Sequence, residues 1–215
     1  MELIAHRAGN LADLVGAGIE AAGAVEVDVH LFRNRLEVRH AKILLWPYAR
    51  LWEKWELLPG DAPRPSLDSI LAHVPGEVHV WFDLKGFTNR LPRAVHRVAG
   101  DRAHLTYSSR AWWILGWVRR HSSARTMRSV GNRWQRWLVV RTRLFAPGPS
   151  RPGDGITIHE RLLHDDWLAR LHQVTPTVFA WGVHDRARAE QLRDAGIAGL
   201  ILDDLDLVRT LRAAR

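Results

Sequence analysis

The sequence predicts an α/β protein: a (β/α)₈ TIM barrel forming one domain over residues 1–215. Three observations carry that prediction. Apolar strand-like runs alternate with helical patterns down the whole chain, as a parallel sheet covered on both faces requires. The runs number eight, which is the count that closes a barrel, although 215 residues is near the short end for that fold. The acidic, basic and histidine side chains fall on or at the C-terminal parts of strands, where barrel active sites are built. An open doubly wound sheet is the rival. It would carry a glycine-rich phosphate loop after the first strand, and His6-Arg7-Ala8-Gly9 lacks that spacing.

Taken in order, the first strand is predicted at Leu3–Arg7, so close to Met1 that no room is expected for a signal peptide's basic and apolar regions. Leu11–Ala22 is a small, apolar-rich helix with Gly23 where a C-cap belongs. The second strand, Val25–Phe32, alternates Val25, Val27 and Val29 with Glu26 and Asp28. A turn at Arg33-Asn34-Arg35 sends Leu36–His40 back beside it and brings His40 over the mouth. Lys42–Pro65 reads as a tryptophan-rich loop, and Ser66–His73 as a helix opened by a serine cap. Val78–Lys85 is the third strand, Arg90–Val98 the helix after Asn89, and Gly100 its cap. The fourth and fifth strands are Leu105–Ser108 and Arg125–Ser129. Between and after them, Trp112, Trp113 and Trp117 precede Arg119-Arg120, and Trp134, Trp137, Leu138 and Arg141 follow helical spacing. Pro147–Gly153 is a surface loop before the sixth strand, Gly155–His159. Asp165–Gln173, Thr177–Val183, Arg186–Ala195 with Gly196, Gly199–Asp203 and Leu205–Ala214 complete the alternation.

The bulk numbers bound the function. With no cysteine, disulfides and thiolate chemistry are excluded. No apolar run reaches the length of a bilayer span, so the expectation is a cytoplasmic protein. Net charge +8 implies attraction to anionic partners such as phosphate esters, lipid headgroups or nucleic acid, without choosing among them.

The chemistry centres on Glu26 and Asp28. Residues two apart in a strand share a face, so two carboxylates stand side by side. They repel unless a cation lies between them or one keeps a proton. A hard divalent ion, Mg²⁺ or Ca²⁺, takes oxygen ligands of this kind. A purely structural pair bridged by Arg7 or Arg39 is the alternative. Asp83 and Lys85 end the third strand as functional groups or as a strand-end ion pair. His30 shares a face with Asp28 and competes with His40, and spacing leaves that choice open. Trp181 either stacks on a substrate or fills the barrel. His159, Ser108 and Arg128 are further mouth candidates, while His79, His96, His104, His121, His164 and His172 are expected at the surface.

These residues together resemble the glycerophosphodiester phosphodiesterase family, in the superfamily that includes the spider-venom-type phospholipases D. The motifs are His6-Arg7 ending the first strand, Glu26-Val27-Asp28 on the second, His40 after a short hairpin, and Asp83-Leu84-Lys85 on the third. Phe179-Ala180-Trp181-Gly182-Val183-His184 resembles the family's aromatic seventh strand, and residues 194–203 its ending. The likeness is most specific over residues 3–40 and 177–203. The resemblance implies that Glu26, Asp28 and Asp83 hold the divalent metal and that Arg7 and Lys85 add positive charge around the phosphate. It implies His6 and His40 as base and acid on opposite sides of phosphorus.

The sequence departs from the family pattern at three places. Ala41 stands where Asp is common, Asp83 where Glu is common, and Lys42–Pro65 where a small insertion covers the glycerol site. The substrate expectation therefore widens from glycerophosphodiesters to lysophospholipid-like diesters. A catalytically weak barrel that binds phosphate headgroups or anionic membranes is the alternative. Tryptophan beside arginine suits a bilayer interface, so a peripheral membrane contact is a further expectation, against simple packing of those helices on the barrel. No recognised nucleic-acid-binding motif accompanies the charge.

Overall fold

The computed structural model describes residues 1–45, 50–53, 56–58, 62–100, 102–141, 154–164 and 166–214. Its strands are β1 (Glu2–Ala5), β2 (Ala24–Phe32), β3 (Arg35–Val38), β4 (Lys42–Leu45), β5 (Arg50–Glu53) and β6 (Glu56–Leu58), followed by β7 (His79–Leu84), β8 (Leu105–Ser109), β9 (Arg125–Val130), β10 (Gly155–His159), β11 (Val178–Trp181) and β12 (Gly199–Leu202). The helices are α1 (Ala12–Ala22), α2 (Leu67–Leu71), α3 (Arg90–Ala99), α4 (Trp112–His121), α5 (Arg133–Arg141), α6 (Trp167–His172), α7 (Arg186–Asp194) and α8 (Leu205–Ala213).

Eight of the strands run parallel and close into a ring in the order β1, β12, β11, β10, β9, β8, β7, β2, with β2 returning to β1. The fold is the predicted (β/α)₈ barrel. Closure is uneven. β1 meets β12 from Glu2↔Gly199 to Ala5↔Leu202, but it meets β2 only at Ala5↔Val25. The hairpin read at Arg33–Arg35 is present, with β3 antiparallel to β2 from Val29↔Val38 to Phe32↔Arg35.

Because both faces of a barrel strand are covered, strand parity decides everything about the interior. On β2, Val25, Val27 and Val29 pack outward in one cluster with Leu91 and Val95 of α3 and Ile114 of α4. A second outer cluster joins Ile156, Val178 and Leu200 to Leu171, Leu192 and Val208 of the later helices. The inward residues form layers. At the base, Arg125 donates to both Glu2 oxygens at 2.8 and 2.9 Å and to Thr106 Oγ1 at 3.0 Å, and His79 Nε2 lies 2.9 Å from the same hydroxyl. Above it Ile4, Trp81, Met127, Phe179 and Ile201 make an apolar floor, with the Trp81 and Phe179 rings 5.0 Å apart. Gly199 is required there, since a Cβ would come within 2.2 Å of Phe179 Cε1. The charged residues lie on top.

Three expectations change. The Lys42–Pro65 loop contains a three-stranded antiparallel sheet, β4-β5-β6, with Pro65 and Ser66 returning to pair with β3. Ser66 holds the N-cap position of α2 without a side-chain capping bond. His79 is a mostly buried part of the basal network, pushed down to about 4 by burial and by the neighbouring Arg125 charge. The Pro147–Gly153 loop, Trp46, Trp55 and Asp165 lie outside the described residues. Among the described residues no helix is long and apolar enough to cross a membrane.

Candidate active site

The turn after β1 builds one wall of the site. Arg7 adopts φ 54°, a left-handed conformation uncommon for a residue with a side chain. That twist aims its backbone N–H at Glu26 Oε2, 2.8 Å away, and starts the single 3₁₀ turn Ala8–Asn10. Gly9 crosses tightly over β2, where a Cβ would lie 2.4 Å from Val27 Cγ2 and 3.0 Å from the Glu26 carbonyl. Asn10 then clamps Asp28 twice: its Nδ2 donates to Oδ2, and its Oδ1 accepts from the Asp28 backbone N–H, both at 2.8 Å.

Glu26, Asp28 and Asp83 offer carboxylate oxygens that all lie within 4.8 Å of one another. In register, Asp28 sits opposite Asp83, so two strands present them at one level. Lys85 Nζ reaches Asp28 Oδ1 at 2.8 Å and also donates to Asp83, while Arg7 Nε lies 3.8 Å from Asp28 Oδ2. Asp83 Oδ1 accepts from Ser108 Oγ at 2.9 Å, and Ser108 in turn accepts from Trp81 Nε1.

The electrostatics are unbalanced. Burial works against charge on Asp28, but the Lys85 ammonium overrides it and holds that carboxyl below its ordinary range. Burial likewise opposes charge on Lys85, and Asp83 and Asp28 outweigh it, so the ammonium is held above its ordinary value. Glu26 is left over: burial, reinforced by Asp28, pushes it well above the usual carboxylate range. Three gathered carboxylates make an all-oxygen donor set that fits a hard divalent cation, and among the described residues Glu26, Asp28 and Asp83 are the ones able to hold it.

A cleft of about 70 Å³ opens over this cluster, lined by His6, Arg7, Glu26, His40, Asp83, Lys85 and Trp181, with Arg110 and Thr157 among its other walls. His6, Arg7, Glu26, His40, Asp83, Lys85 and Trp181 therefore meet at one place, with Asp28 lying beneath and touching Lys85. His6 Nδ1 is 2.8 Å from Asp203 Oδ1, and its Nε2 is 4.0 Å from Glu26 Oε2. A carboxylate only accepts, so this pairing puts the proton on Nδ1 and leaves the Nε2 lone pair facing the cluster. His40 is in the cleft lining, whereas His30 is not. Burial pushes His30 down to about 3, and Arg39 and Lys85 add repulsion.

Trp181 borders the cleft between His159, with ring centroids 4.3 Å apart, and Arg110, whose guanidinium lies 5.8 Å from the indole centroid. Arg128 is a correction. On β9 the inward residues are Arg125, Met127 and Ser129, so Arg128 points outward to Trp112, and Ser129 lines the cleft. A larger hollow of about 680 Å³ lies at the opposite end of the barrel, beside His79 and Arg125. It is remote from the carboxylates.

Sequence reasoning missed Asn10, Arg110, Thr157 and Asp203. Asp203 had a signal, as an acid just past a strand's C-terminal end. Arg110 had a similar one just after β8. Asn10 and Thr157 had none.

No protein-family model matches this sequence, and no curated protein matches it either. Solved structures do match the fold. The glycerophosphodiester phosphodiesterase from Thermotoga maritima aligns with a TM-score of 0.71 and 17% identity, over 99% of this chain and 97% of that one. A phosphodiesterase from Oleispira antarctica, solved with the product sn-glycerol-3-phosphate, gives 0.72 and 16%, over 100% and 96%. A glycerophosphodiester phosphodiesterase from Parabacteroides distasonis gives 0.66 and 20%, over 100% and 97%. The barrel thus shares its fold, end to end, with the family that the motifs resemble.

Proposed function

We propose that this barrel is a phosphoric diester hydrolase that cleaves glycerophosphodiesters or lysophospholipid-like diesters, using His6 and His40 and a divalent cation. What carries the reading is one cleft at the C-terminal ends of the strands, where two histidines, three cationic side chains and the Glu26–Asp28–Asp83 cluster converge. The neighbour solved with sn-glycerol-3-phosphate supports a small phosphodiester as the substrate class.

A phosphodiester resists attack because it is anionic. Arg7, Arg110 and Lys85 surround the cleft with positive charge and draw its non-bridging oxygens down towards the carboxylates. Glu26, Asp28 and Asp83 would hold a divalent ion, which would supply Lewis-acid polarisation of phosphorus. His6, with Nδ1–H held by Asp203, takes the proton from the attacking hydroxyl or water at Nε2. His40, in its acid form, gives a proton to the departing alkoxide. Trp181 supplies an apolar flank for the leaving group. A substrate with a neighbouring hydroxyl attacks its own phosphorus first, giving a cyclic phosphate.

The test is turnover of a panel of glycerophosphodiesters and lysophospholipids, with and without EDTA, and with added Mg²⁺ or Ca²⁺. Metal-dependent release that disappears in His6→Ala is the expected result. No turnover on any panel member would refute the hydrolase reading and leave the headgroup-binding alternative. A direct hydrolysis product with no cyclic species, from a substrate bearing the hydroxyl, would refute the internal attack.

A further inference from the structure

Apolar side chains left in water on a monomer are informative when they are large and gathered on one side. Among the described residues, the large hydrophobic side chains that are exposed are Leu11, Leu14, Leu57, Phe87, Val98, Trp113, Trp134 and Trp137. Only Val98, in the last turn of α3, lies at the helical end away from the mouth. Leu57 belongs to the small β4-β5-β6 sheet, and the rest lie on connections from strand ends into helices or on the first two turns of those helices, towards the face that carries the cleft.

The aromatic ones are held in position. Phe87 and Trp113 stack with centroids 6.1 Å apart at 23°, and Trp113 Nε1 donates to the Phe87 carbonyl at 2.9 Å. Trp134 and Trp137 stack at 4.9 Å and 19°. Despite this stacking they remain 75%, 60%, 65% and 41% exposed, in the order Phe87, Trp113, Trp134, Trp137. A stacked pair that stays this wet is not a core packing device.

Charge is sorted the same way around the rim. Residues 85–94, 109–117 and 130–141, which bear these aromatics, contain seven Lys or Arg and no Asp or Glu. The connections after β10, β11 and β12 and the helices they enter hold Glu160, Asp185, Asp203 and Asp204 together with Arg161, Arg186 and Arg188. One sector of the mouth is therefore aromatic and basic without carboxylates, whereas the opposite sector carries both signs of charge. Indole rings favour the headgroup depth of a bilayer, and arginine meets anionic lipid there.

We propose that the sector formed by the connections after β7, β8 and β9 docks on an anionic phospholipid bilayer, so that the cleft opens at the membrane surface. This deepens the diester hydrolase reading and rests on it only for the substrate side. Lipid-derived diesters would enter from the surface rather than from bulk water.

The test is co-sedimentation of the full chain with vesicles of phosphatidylcholine alone or mixed with phosphatidylglycerol, at low and high salt. The wild type is expected to bind the mixed vesicles and to lose binding as salt rises. Trp113→Ser with Trp134→Ser is expected to weaken binding at least about tenfold. Arg90→Ser with Arg133→Ser is expected to weaken it about fivefold per arginine, for mixed vesicles only. Hydrolysis of a water-soluble diester, bis(4-nitrophenyl) phosphate, is expected to match the wild type in both variants, which also verifies their folding. Unchanged vesicle binding in both variants overturns the proposal, as does wild-type failure to bind any vesicle. Self-association that the tryptophan substitutions abolish, without vesicle binding, also overturns it, because a second copy would then cover the patch. Wild-type failure on the soluble diester, with vesicle binding intact, counts against the hydrolase reading and leaves the docking surface standing.

Discussion

Replacing Asp203 by Asn isolates what that residue does for His6. The carboxylate accepts from Nδ1 at 2.8 Å and fixes the tautomer, whereas an amide can turn its NH₂ towards Nδ1 and shift the ring proton to Nε2. A hydrogen bond to a charged group contributes about 1.5–3 kcal/mol. Asp203 is 47% exposed, so solvent screening places its contribution at the lower end, about 1.5 kcal/mol. That converts to about a tenfold loss of kcat/KM. Loss of the proposed base, in His6→Ala, is expected to cost about 10²–10⁴-fold. The assay is kcat/KM for glycerophosphocholine, with His6→Ala measured alongside. An Asp203→Asn enzyme within about twofold of wild type would refute the orienting role. A loss as large as that of His6→Ala would refute it from the other side.

Two further predictions concern stability. His79 stays neutral in the fold down to about pH 4, whereas in the unfolded chain it protonates near its ordinary value of about 6.5. Between those values the unfolded state binds more protons, so stability falls as pH drops from about 6.5 to about 4, by roughly 3 kcal/mol. Denaturant titrations at pH 7 and near pH 4 check this, and His79→Gln should flatten the difference; an equal slope in that variant would count against it. Gly9→Ala drives a Cβ to 2.4 Å from Val27 Cγ2, an overpacking that costs about 1–3 kcal/mol. Its thermal midpoint should fall by about 2–4 °C per kcal/mol, and an unchanged midpoint would mean that the turn shifts freely off β2.

The parts of this molecule legible in the sequence were those that depend on local periodicity. Val25, Val27 and Val29 mark the outer face of β2, which leaves Glu26 and Asp28 no direction but inward. Where the pattern does not alternate, parity is lost. β9 reads Arg-Thr-Met-Arg-Ser-Val with nearly every residue buried, so nothing in the string distinguishes inward Ser129 from outward Arg128. His79 reads as a surface residue because its burial depends on Arg125 and Thr106, from strands far along the chain. The strands of the β4-β5-β6 sheet are only three or four residues long, too short for alternation to stand out in the sequence. Asn10 is illegible for another reason: an asparagine in a turn is ordinary, and only the closed barrel brings it to Asp28.

The weak join between β1 and β2 gives the site a second duty. With only Ala5↔Val25 paired in the ladder, the ring is held there largely by Arg7 on Glu26 and Asn10 on Asp28. The carboxylates proposed to hold the cation are also part of the clasp of the barrel. Whatever binds them in the native state is absent from the opened one, so cation binding and ring opening oppose each other by mass action. Chelation would then reach beyond turnover: it would loosen the seam first, and amide exchange would rise at Arg7, Asn10 and Asp28 before anywhere on the far side of the ring.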